Sequence, residues 1–148
     1  MADILPLPPQ AEEKLYEYGA LSAKAEQDGD IAAAEKYFLA AWNSIPDPKL
    51  AYDHAQSMTV DLAVFYRNIG QAQKAKDWLP MAREAYGPEP DPHVEFVAAT
   101  IHYEAGELDE AYALFESLFK EYKSRPFQEE KPEYLAFYLD RAKSKKGK

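Results

Sequence analysis

Three histidines are the side chains best suited to metal binding or proton transfer in this 148-residue chain, which contains no cysteine. They are His54, His93 and His102. His93 and His102 lie nine residues apart, so on a helix they do not stack one turn above the other, as zinc ligands do. His102 is better interpreted as a packed core histidine. We therefore predict no metal site and no cofactor.

Paired carboxylates are the other groups that commonly carry catalysis, and they occur as Glu12-Glu13 and Glu129-Glu130. Adjacent residues of a helix do not face each other, so the members of each pair diverge. These pairs predict solvated helix faces. The chain also lacks a glycine-rich phosphate loop and the tight turn that presents a nucleophilic serine. The sequence therefore predicts no catalytic residues and a protein that is not an enzyme.

The net charge of −9 is distributed unevenly along the chain. Residues 1–48 carry 9 acidic and 3 basic residues, whereas residues 128–148 carry 4 acidic and 6 basic ones. An acidic body repels phosphate backbones and anionic lipid, so neither nucleic acid nor a membrane is the expected partner. A basic protein would be attracted to it. No apolar run approaches ~18 residues, and no secretory signal is recognisable, so we expect a cytoplasmic protein.

A helical pattern with one apolar face recurs through the chain. In residues 29–46 a glycine turn precedes a helix that carries Ala34, Phe38 and Ala41 on one side, and Pro46 ends it. Similar designs return from Gly70 and from Gly106. No segment alternates as a strand would, so the predicted fold class is all-α.

The helix boundaries follow from glycine, proline and capping signals. The predicted ranges are 11–27, 31–45, 48–69, 71–86, 92–105, 108–122 and a last helix from about 132. Asp47 is the expected cap of the third helix, with Pro48 at its first position. Asp91 and Pro92 repeat that signal before the fifth. Pro80 predicts a kink or a split near residues 76–80.

The two ends of the chain differ from the helical body, which is predicted to be one domain over residues 11–142. Residues 1–10 form a proline-rich arm with two possible states. The arm is either a frayed terminus or a strap that packs across the first helix through Ile4, Leu5 and Leu7. Residues 143–148 form a basic tail that we expect to be disordered.

The turn glycines Gly29, Gly70 and Gly106 are 41 and 36 residues apart, which is close to the period of a paired-helix repeat. The first copy carries Tyr18, Leu21, Ser22, Ala34, Phe38, Ala41 and Pro46 at the positions of such a repeat, and it departs only at Ala25, where the repeat has a tyrosine. The sequence resembles the tetratricopeptide repeat family, with units at about 11–47, 48–89 and 91–123 and a capping helix at 131–143. The second copy departs from the family pattern at Leu79 and Gly87, and the third at Glu95. The resemblance implies a right-handed superhelix of three antiparallel helix pairs.

The resemblance also implies a concave groove, lined by fixed positions on the first helix of each unit. The predicted partner contacts are Tyr16, Glu26, Val60, Val64, Arg67, Asn68, His93, Phe96, Thr100, Tyr103 and Glu104. The remaining positions of this face are Gly19, Ala23, Gln27 and Ser57. We expect a bound peptide or helix, because Val60, Val64 and Phe96 would otherwise be a costly exposed surface.

One subclass of these repeats grips the C-terminal carboxylate of heat-shock chaperones with Lys, Asn and Arg. The corresponding residues here are Gly19, Ala23, Asp61, His93 and Val97, and none matches. The predicted function is a non-enzymatic module for a dedicated protein or peptide partner that is basic or amphipathic. An immunity or antitoxin-type protein and a secretion chaperone both fit. The alternative is a self-associating scaffold, and the chain is expected to be a monomer or a homodimer.

Overall fold

The computed structural model describes residues 4–146, the last of them as backbone only. This part of the chain contains seven α-helices, two short 3₁₀ turns and no strand, so the all-α prediction is confirmed. The helices are α1 (Pro9–Gln27), α2 (Ile31–Asn43), α3 (His54–Asn68), α4 (Ala72–Tyr86), α5 (Pro92–Glu104), α6 (Leu108–Tyr122) and α7 (Pro132–Lys146). The 3₁₀ turns span Lys49–Ala51 and Arg125–Phe127.

Most helix ends follow the predicted local signals. Gly29 and Gly106 both have a positive φ, near 80°. At each of these glycines the chain can therefore leave one helix and enter the next within a few residues. The Asp91 carboxylate accepts hydrogen bonds from the backbone N–H groups of His93 and Val94 at 2.9 and 3.2 Å. This cap, with Pro92 at the first helical position, confirms the predicted start of α5.

The third helix begins later than predicted. The expected start at Pro48 is wrong, because residues Lys49–Ala51 form a 3₁₀ turn, Tyr52 is extended, and α3 begins at His54. The proline-rich arm explains the break. The Leu5 N–H donates to the Ala51 carbonyl at 2.8 Å, and the Asp53 N–H donates to the Leu5 carbonyl at 3.1 Å. The arm thus takes backbone groups that a continuous helix would have used.

The arm is docked and not frayed over its described residues. Leu7 is buried, whereas Ile4 and Leu5 are largely exposed, so the strap is anchored by backbone pairing and by one apolar side chain. Its partner is the segment around Tyr52, with which Leu5 forms a parallel bridge. Residues 1–3 of the predicted arm lie outside the described range.

Helix α4 is continuous through Pro80, so the predicted split is wrong. Proline lacks an N–H and leaves one carbonyl of the preceding turn without its helical partner. The buried side chains of Ala75, Leu79 and Ala82 keep both halves of the helix on the same packed face. Packing of that face therefore outweighs the local cost of the proline.

The basic end of the chain is more ordered than predicted. Helix α7 extends to Lys146, so disorder from Lys143 onward is wrong for residues 143–146. The Arg141 side chain forms an ion pair with Asp109, and Lys145 Nζ lies 4.4 Å from the centre of the Tyr112 ring. These contacts hold the last turns of α7 against α6. Residues 147–148 of the predicted tail lie outside the described range.

The chain divides into two compact units, Met1–Leu62 and Ala63–Lys148, and the boundary falls inside α3. In the first unit α1 packs on α2 through small buried residues. Ala25, Ala34 and Ala41 are buried at this contact, and the Ser22 hydroxyl donates to the Ala34 carbonyl at 2.7 Å. Small side chains let the two helices approach closely.

The second unit is built around an aromatic cluster. Its central rings are Phe96, Phe115, Phe127, Tyr134 and Tyr138, all buried. They come from α5, α6, the second 3₁₀ turn and α7, so the last helix is part of this core. The finer division into three repeat units with the boundaries given above stays a prediction.

Candidate functional site

The first unit contains a cavity of about 610 Å³. Its lining comes from α1, from α2 and from the beginning of α3. The apolar part consists of Leu15, Phe38, Ala41 and Met58. The rest of the lining is small or polar, namely Tyr16, Gly19, Ser22, Ala23, Glu26, Asp53, His54, Ser57 and Asp61.

Small residues on α1 create the space. Gly19 and Ala23 stand at the middle of the cavity wall, one turn apart. A Cβ added at Gly19 would meet no atom within 4 Å. Glycine inside a helix costs about 0.5–1 kcal/mol relative to alanine. The glycine therefore weakens α1 slightly and leaves the cavity wide at this point.

One end of the cavity is held by a hydrogen-bonded chain of three side chains. The Tyr16 hydroxyl lies 3.0 Å from His54 Nε2, and His54 Nδ1 lies 2.7 Å from Asp53 Oδ1. The Tyr16 and His54 rings meet edge to face at 5.7 Å, and Glu12 lies 3.6 Å from Nε2. The chain joins α1 to the start of α3. The strap contributes as well, since Leu5 pairs with the Asp53 backbone.

The other end of the cavity carries the carboxylates of Glu26 and Asp61. The unit around it is the acidic part of the molecule, with 11 acidic and 4 basic residues in positions 1–62. In the predicted repeat register, Gly19, Ala23 and Asp61 would fall at three of the positions that carry basic or amide side chains in the chaperone-binding repeats. The cavity thus has the opposite polarity to a carboxylate-binding groove.

The cavity brings together two of the predicted partner contacts, Tyr16 and Glu26. It also includes Gly19, Ala23 and Ser57 from the same predicted face. Val60 does not belong to an exposed surface, because only 3% of it is accessible. The expectation that Val60 is an exposed partner contact of the groove is therefore wrong, because this side chain is buried.

The corresponding face of the second unit is covered. Phe96 and Thr100 are buried, so their predicted exposure is wrong. For Phe96 the physical reason is α7, which brings Tyr134 to 6.1 Å from the Phe96 ring and to 5.4 Å from the Tyr103 ring. Phe137 of α7 also packs edge to face on Tyr103, at 5.1 Å. The side chains of α7 occupy the place expected for a partner.

Polar groups of this face are satisfied within the second unit. The Tyr134 hydroxyl donates to Glu104 Oε1 at 2.9 Å, and burial, followed by this hydrogen bond, raises the pKa of Tyr134. Arg67 donates to Thr100 Oγ1 at 2.8 Å and to the Asn68 side chain at 2.9 Å. Arg67, Thr100 and Glu104, which were predicted to contact a partner, therefore form hydrogen bonds within the second unit. Val64 is half-buried.

His93 is the member of this set that stays exposed at a cavity. It lines a smaller pocket of about 330 Å³ together with Phe96, Tyr122 and Arg125. The structure thus divides the predicted face: one part lines the first-unit cavity, one part is buried, and His93 borders a separate pocket.

Several cavity residues were not assigned to a site from the sequence, above all Asp53, His54 and Met58. For His54 a signal was present in the helix register. His54 and Asp61 lie three residues before and four residues after Ser57, so on a helix they share a face with this predicted groove residue. His54 was instead considered only as a metal ligand. Within residues 4–146, no group of three or more metal-ligating side chains is found.

None of the described helices is long and apolar enough to cross a membrane. No protein-family model, no curated protein and no solved structure matches this chain.

Proposed function

We propose that this chain is a non-enzymatic protein-interaction module whose first unit holds a basic or amphipathic segment of a dedicated protein partner. The observation that carries the proposal is the cavity of about 610 Å³ between α1, α2 and α3. Its volume lies in the range of ligand sites, about 300–1,000 Å³. It combines an apolar lining with acidic side chains, whose negative charge attracts a cationic ligand and repels an acidic one.

A lysine or arginine side chain has the chemistry to use both parts of this lining. Its hydrocarbon stem packs on apolar side chains such as Leu15 and Met58, while the charged group reaches a carboxylate. The exposed Tyr16 ring offers a further contact for a cation. The acidic first unit would also speed the approach of a basic partner.

The proposal includes the finer fold assignment and the cytoplasmic location predicted from the sequence. Gly29, Gly70 and Gly106 all have positive φ at the predicted repeat turns, which supports three tetratricopeptide-type helix pairs in a right-handed superhelix with α7 as the cap. An immunity or antitoxin-type protein and a secretion chaperone are the two roles that suit such a module. They differ in whether the bound partner is inhibited or delivered.

Selection from a random peptide library displayed on phage tests the proposal without knowledge of the partner. The wild-type chain should enrich peptides that combine Lys or Arg with aliphatic residues. Gly19→Leu fills the cavity and should weaken the selected peptides at least tenfold, whereas Gly19→Ala adds one methyl group in open space and should retain them. Enriched peptides that bind both variants equally, or no enrichment, would refute the cavity as the site.

The alternative function, a self-associating scaffold, predicts a different result in solution. Light scattering at two protein concentrations and two salt concentrations measures the mass directly. A concentration-dependent oligomer that Gly19→Leu leaves intact would favour the scaffold. A monomer that binds selected peptides would favour the interaction module.

A further inference from the structure

We propose that the N-terminal strap, residues 4–8, is a conformational switch at one end of the first-unit cavity. In the docked state the strap holds residues 49–53 out of α3 and leaves Asp53 in contact with His54. In the released state α3 extends back over residues 49–53, roughly one and a half turns, and Asp53 moves away from His54. All of these residues belong to the first unit.

Two copies of one helix-start signal have different outcomes in this chain. Pro90-Asp91-Pro92 leads directly into α5, which begins at Pro92 and is capped by the Asp91 carboxylate. Pro46-Asp47-Pro48 has the same three residues, but the chain after it forms a 3₁₀ turn and an extended residue. Aspartate at the cap and proline at the first position favour a helix in both places. The strap pairs with the residues that follow the first copy, and this pairing provides a physical reason for the difference.

The strap uses two backbone groups that an extended α3 would need. The Asp53 N–H donates to the Leu5 carbonyl at 3.1 Å, whereas in a helix it would donate to the Lys49 carbonyl. The Ala51 carbonyl accepts from the Leu5 N–H at 2.8 Å, whereas in a helix it would accept from the Ala55 N–H. Both groups are hydrogen-bonded in either state, so the exchange leaves neither of them unpaired.

One buried apolar side chain holds the strap in addition to this pairing. Only 7% of Leu7 is accessible, compared with 45% of Leu5 and 55% of Ile4. Segments with few buried apolar contacts open at a low cost in free energy under native conditions. Leu7 is therefore the residue whose replacement should release the strap.

Release of the strap would change one end of the cavity. Asp53 Oδ1 lies 2.7 Å from His54 Nδ1, and His54 Nε2 lies 3.0 Å from the Tyr16 hydroxyl. Adjacent residues within a helix do not face each other, so an extended α3 separates the Asp53 carboxylate from the His54 ring. All three side chains line the cavity, whereas no residue of the strap does. The strap thus sets the geometry of the cavity from outside it.

Matched aspartate substitutions in the full chain test the release. Leu7→Asp places a charge at the buried anchor, whereas Leu5→Asp places the same charge at an exposed side chain and keeps the backbone pairing. In Leu7→Asp, we expect the protection of the position-5 amide against hydrogen exchange to fall at least tenfold. The Cα chemical shifts of residues 49–53 should move to helical values in the same variant. Leu5→Asp should match the wild type in both measurements.

Two results would overturn the proposal. The first is lost protection at position 5 with unchanged shifts in residues 49–53, because the strap would then not be what holds them out of the helix. The second is full protection at position 5 in Leu7→Asp, because the switch requires that loss of its apolar anchor undocks it. If Leu7→Asp does not fold, Leu5→Pro removes the donor N–H instead, and the shifts of residues 49–53 decide. Its control is Ile4→Pro, since the Ile4 N–H makes no backbone hydrogen bond to a described residue.

A second pair of variants distinguishes helix extension from detachment into a disordered segment. Tyr52→Ala and Tyr52→Gly both remove the ring, but alanine favours a helix and glycine favours a disordered chain. If release extends α3, protection at position 5 should be about fivefold lower in Tyr52→Ala than in Tyr52→Gly. The reverse order would mean that residues 49–53 become disordered on release, and it would overturn the proposal. Equal protection would overturn it too, because the released state would then not involve residue 52. These measurements use no peptide, so their failure leaves the proposed function standing.

Discussion

Equivalent positions of the predicted groove differ in solvent exposure between the two units. In the first unit Gly19, Ala23 and Glu26 line an accessible cavity. In the second unit, Thr100 corresponds to Ala23 and is fully buried. The aromatic neighbours of Thr100 on that face, Phe96 and Tyr103, pack against Tyr134 of α7. A repeat pattern therefore assigns a face to each helix, but it does not say whether that face stays open.

Two features decide between the open and the covered face. The first is side-chain size, because Gly19 leaves space that the corresponding Phe96 fills. The second is the neighbouring element, since α7 carries the aromatic rings that complete the core of the second unit. The size of each side chain can be read directly from the sequence. The covering of the second face also depends on how α7 packs.

The largest change in the free energy of unfolding is expected for Phe96, the buried member of this comparison. Phe96→Ala removes a ring that contacts Phe115, Phe127 and Tyr134 at 5.1–6.1 Å between ring centres. It should lower the free energy of unfolding by about 3–5 kcal/mol. Tyr16→Ala, at an exposed position, should lower it by less than about 1 kcal/mol. Urea unfolding of both variants gives the two values, and similar losses would contradict the contrast.

A smaller effect tests the hydrogen bond that ties α7 to α5. Tyr134→Phe removes the hydroxyl that donates to Glu104 and keeps the packed ring. The expected loss is about 1–2 kcal/mol, because a bond to a carboxylate is lost but Lys131 still lies 3.5 Å from Glu104. Urea unfolding measures this loss. A variant as stable as the wild type would show that the hydroxyl is not needed to hold the covered face.

The open face predicts a gain in stability. Gly19→Ala adds a methyl group within α1, where nothing lies within 4 Å, so it should raise the free energy of unfolding by about 0.5–1 kcal/mol. For Phe96→Ala, the change in the free energy of unfolding should have the opposite sign. A destabilised Gly19→Ala would mean that the cavity wall is already in close contact with another group.

The smallest effect concerns pH and the turn between α5 and α6. The hydrogen bond from Lys76 Nζ, at 2.9 Å, and then that from His102 Nδ1, at 2.8 Å, hold the pKa of Glu107 below its ordinary value of 4.5. A carboxyl group with a lowered folded-state pKa contributes stability that is present above its unfolded pKa and is lost as the pH falls through the folded one. The stability difference between the wild type and Glu107→Gln should therefore be largest near neutral pH. It should shrink as the pH falls below 4.5 and disappear once the pH is below the lowered folded-state pKa of Glu107. A difference that is constant with pH would exclude this cause.

Local signals were sufficient for most of the fold. Capping aspartates, turn glycines and helical periodicity gave the all-α class and six helix starts within a few residues. The start of α3 could not be predicted, because Leu5 competes for the backbone of Ala51 and Asp53 across 46 or more residues of chain. Long-range pairing of this kind leaves no periodic trace in the sequence.

The candidate site was predictable in part. Tyr16, Glu26 and Ser57, which the predicted register assigns to one face, line one cavity in the structure. The register failed for Phe96, which is buried among aromatic residues that include those of α7, and for Thr100, which is buried and accepts a hydrogen bond from Arg67. The same register also places His54 one turn before Ser57, and the structure adds the contact of His54 with Tyr16.

The most direct test of the contrast uses the absence of cysteine from the chain, so that a single introduced thiol reports on one site. Ala23→Cys places it at the open face and Thr100→Cys at the equivalent covered position. Under native conditions, the thiol at position 23 should react with a disulfide reagent at least about 100-fold faster than the thiol at position 100, and urea should abolish the difference. Equal native rates would contradict the account of one open and one covered face.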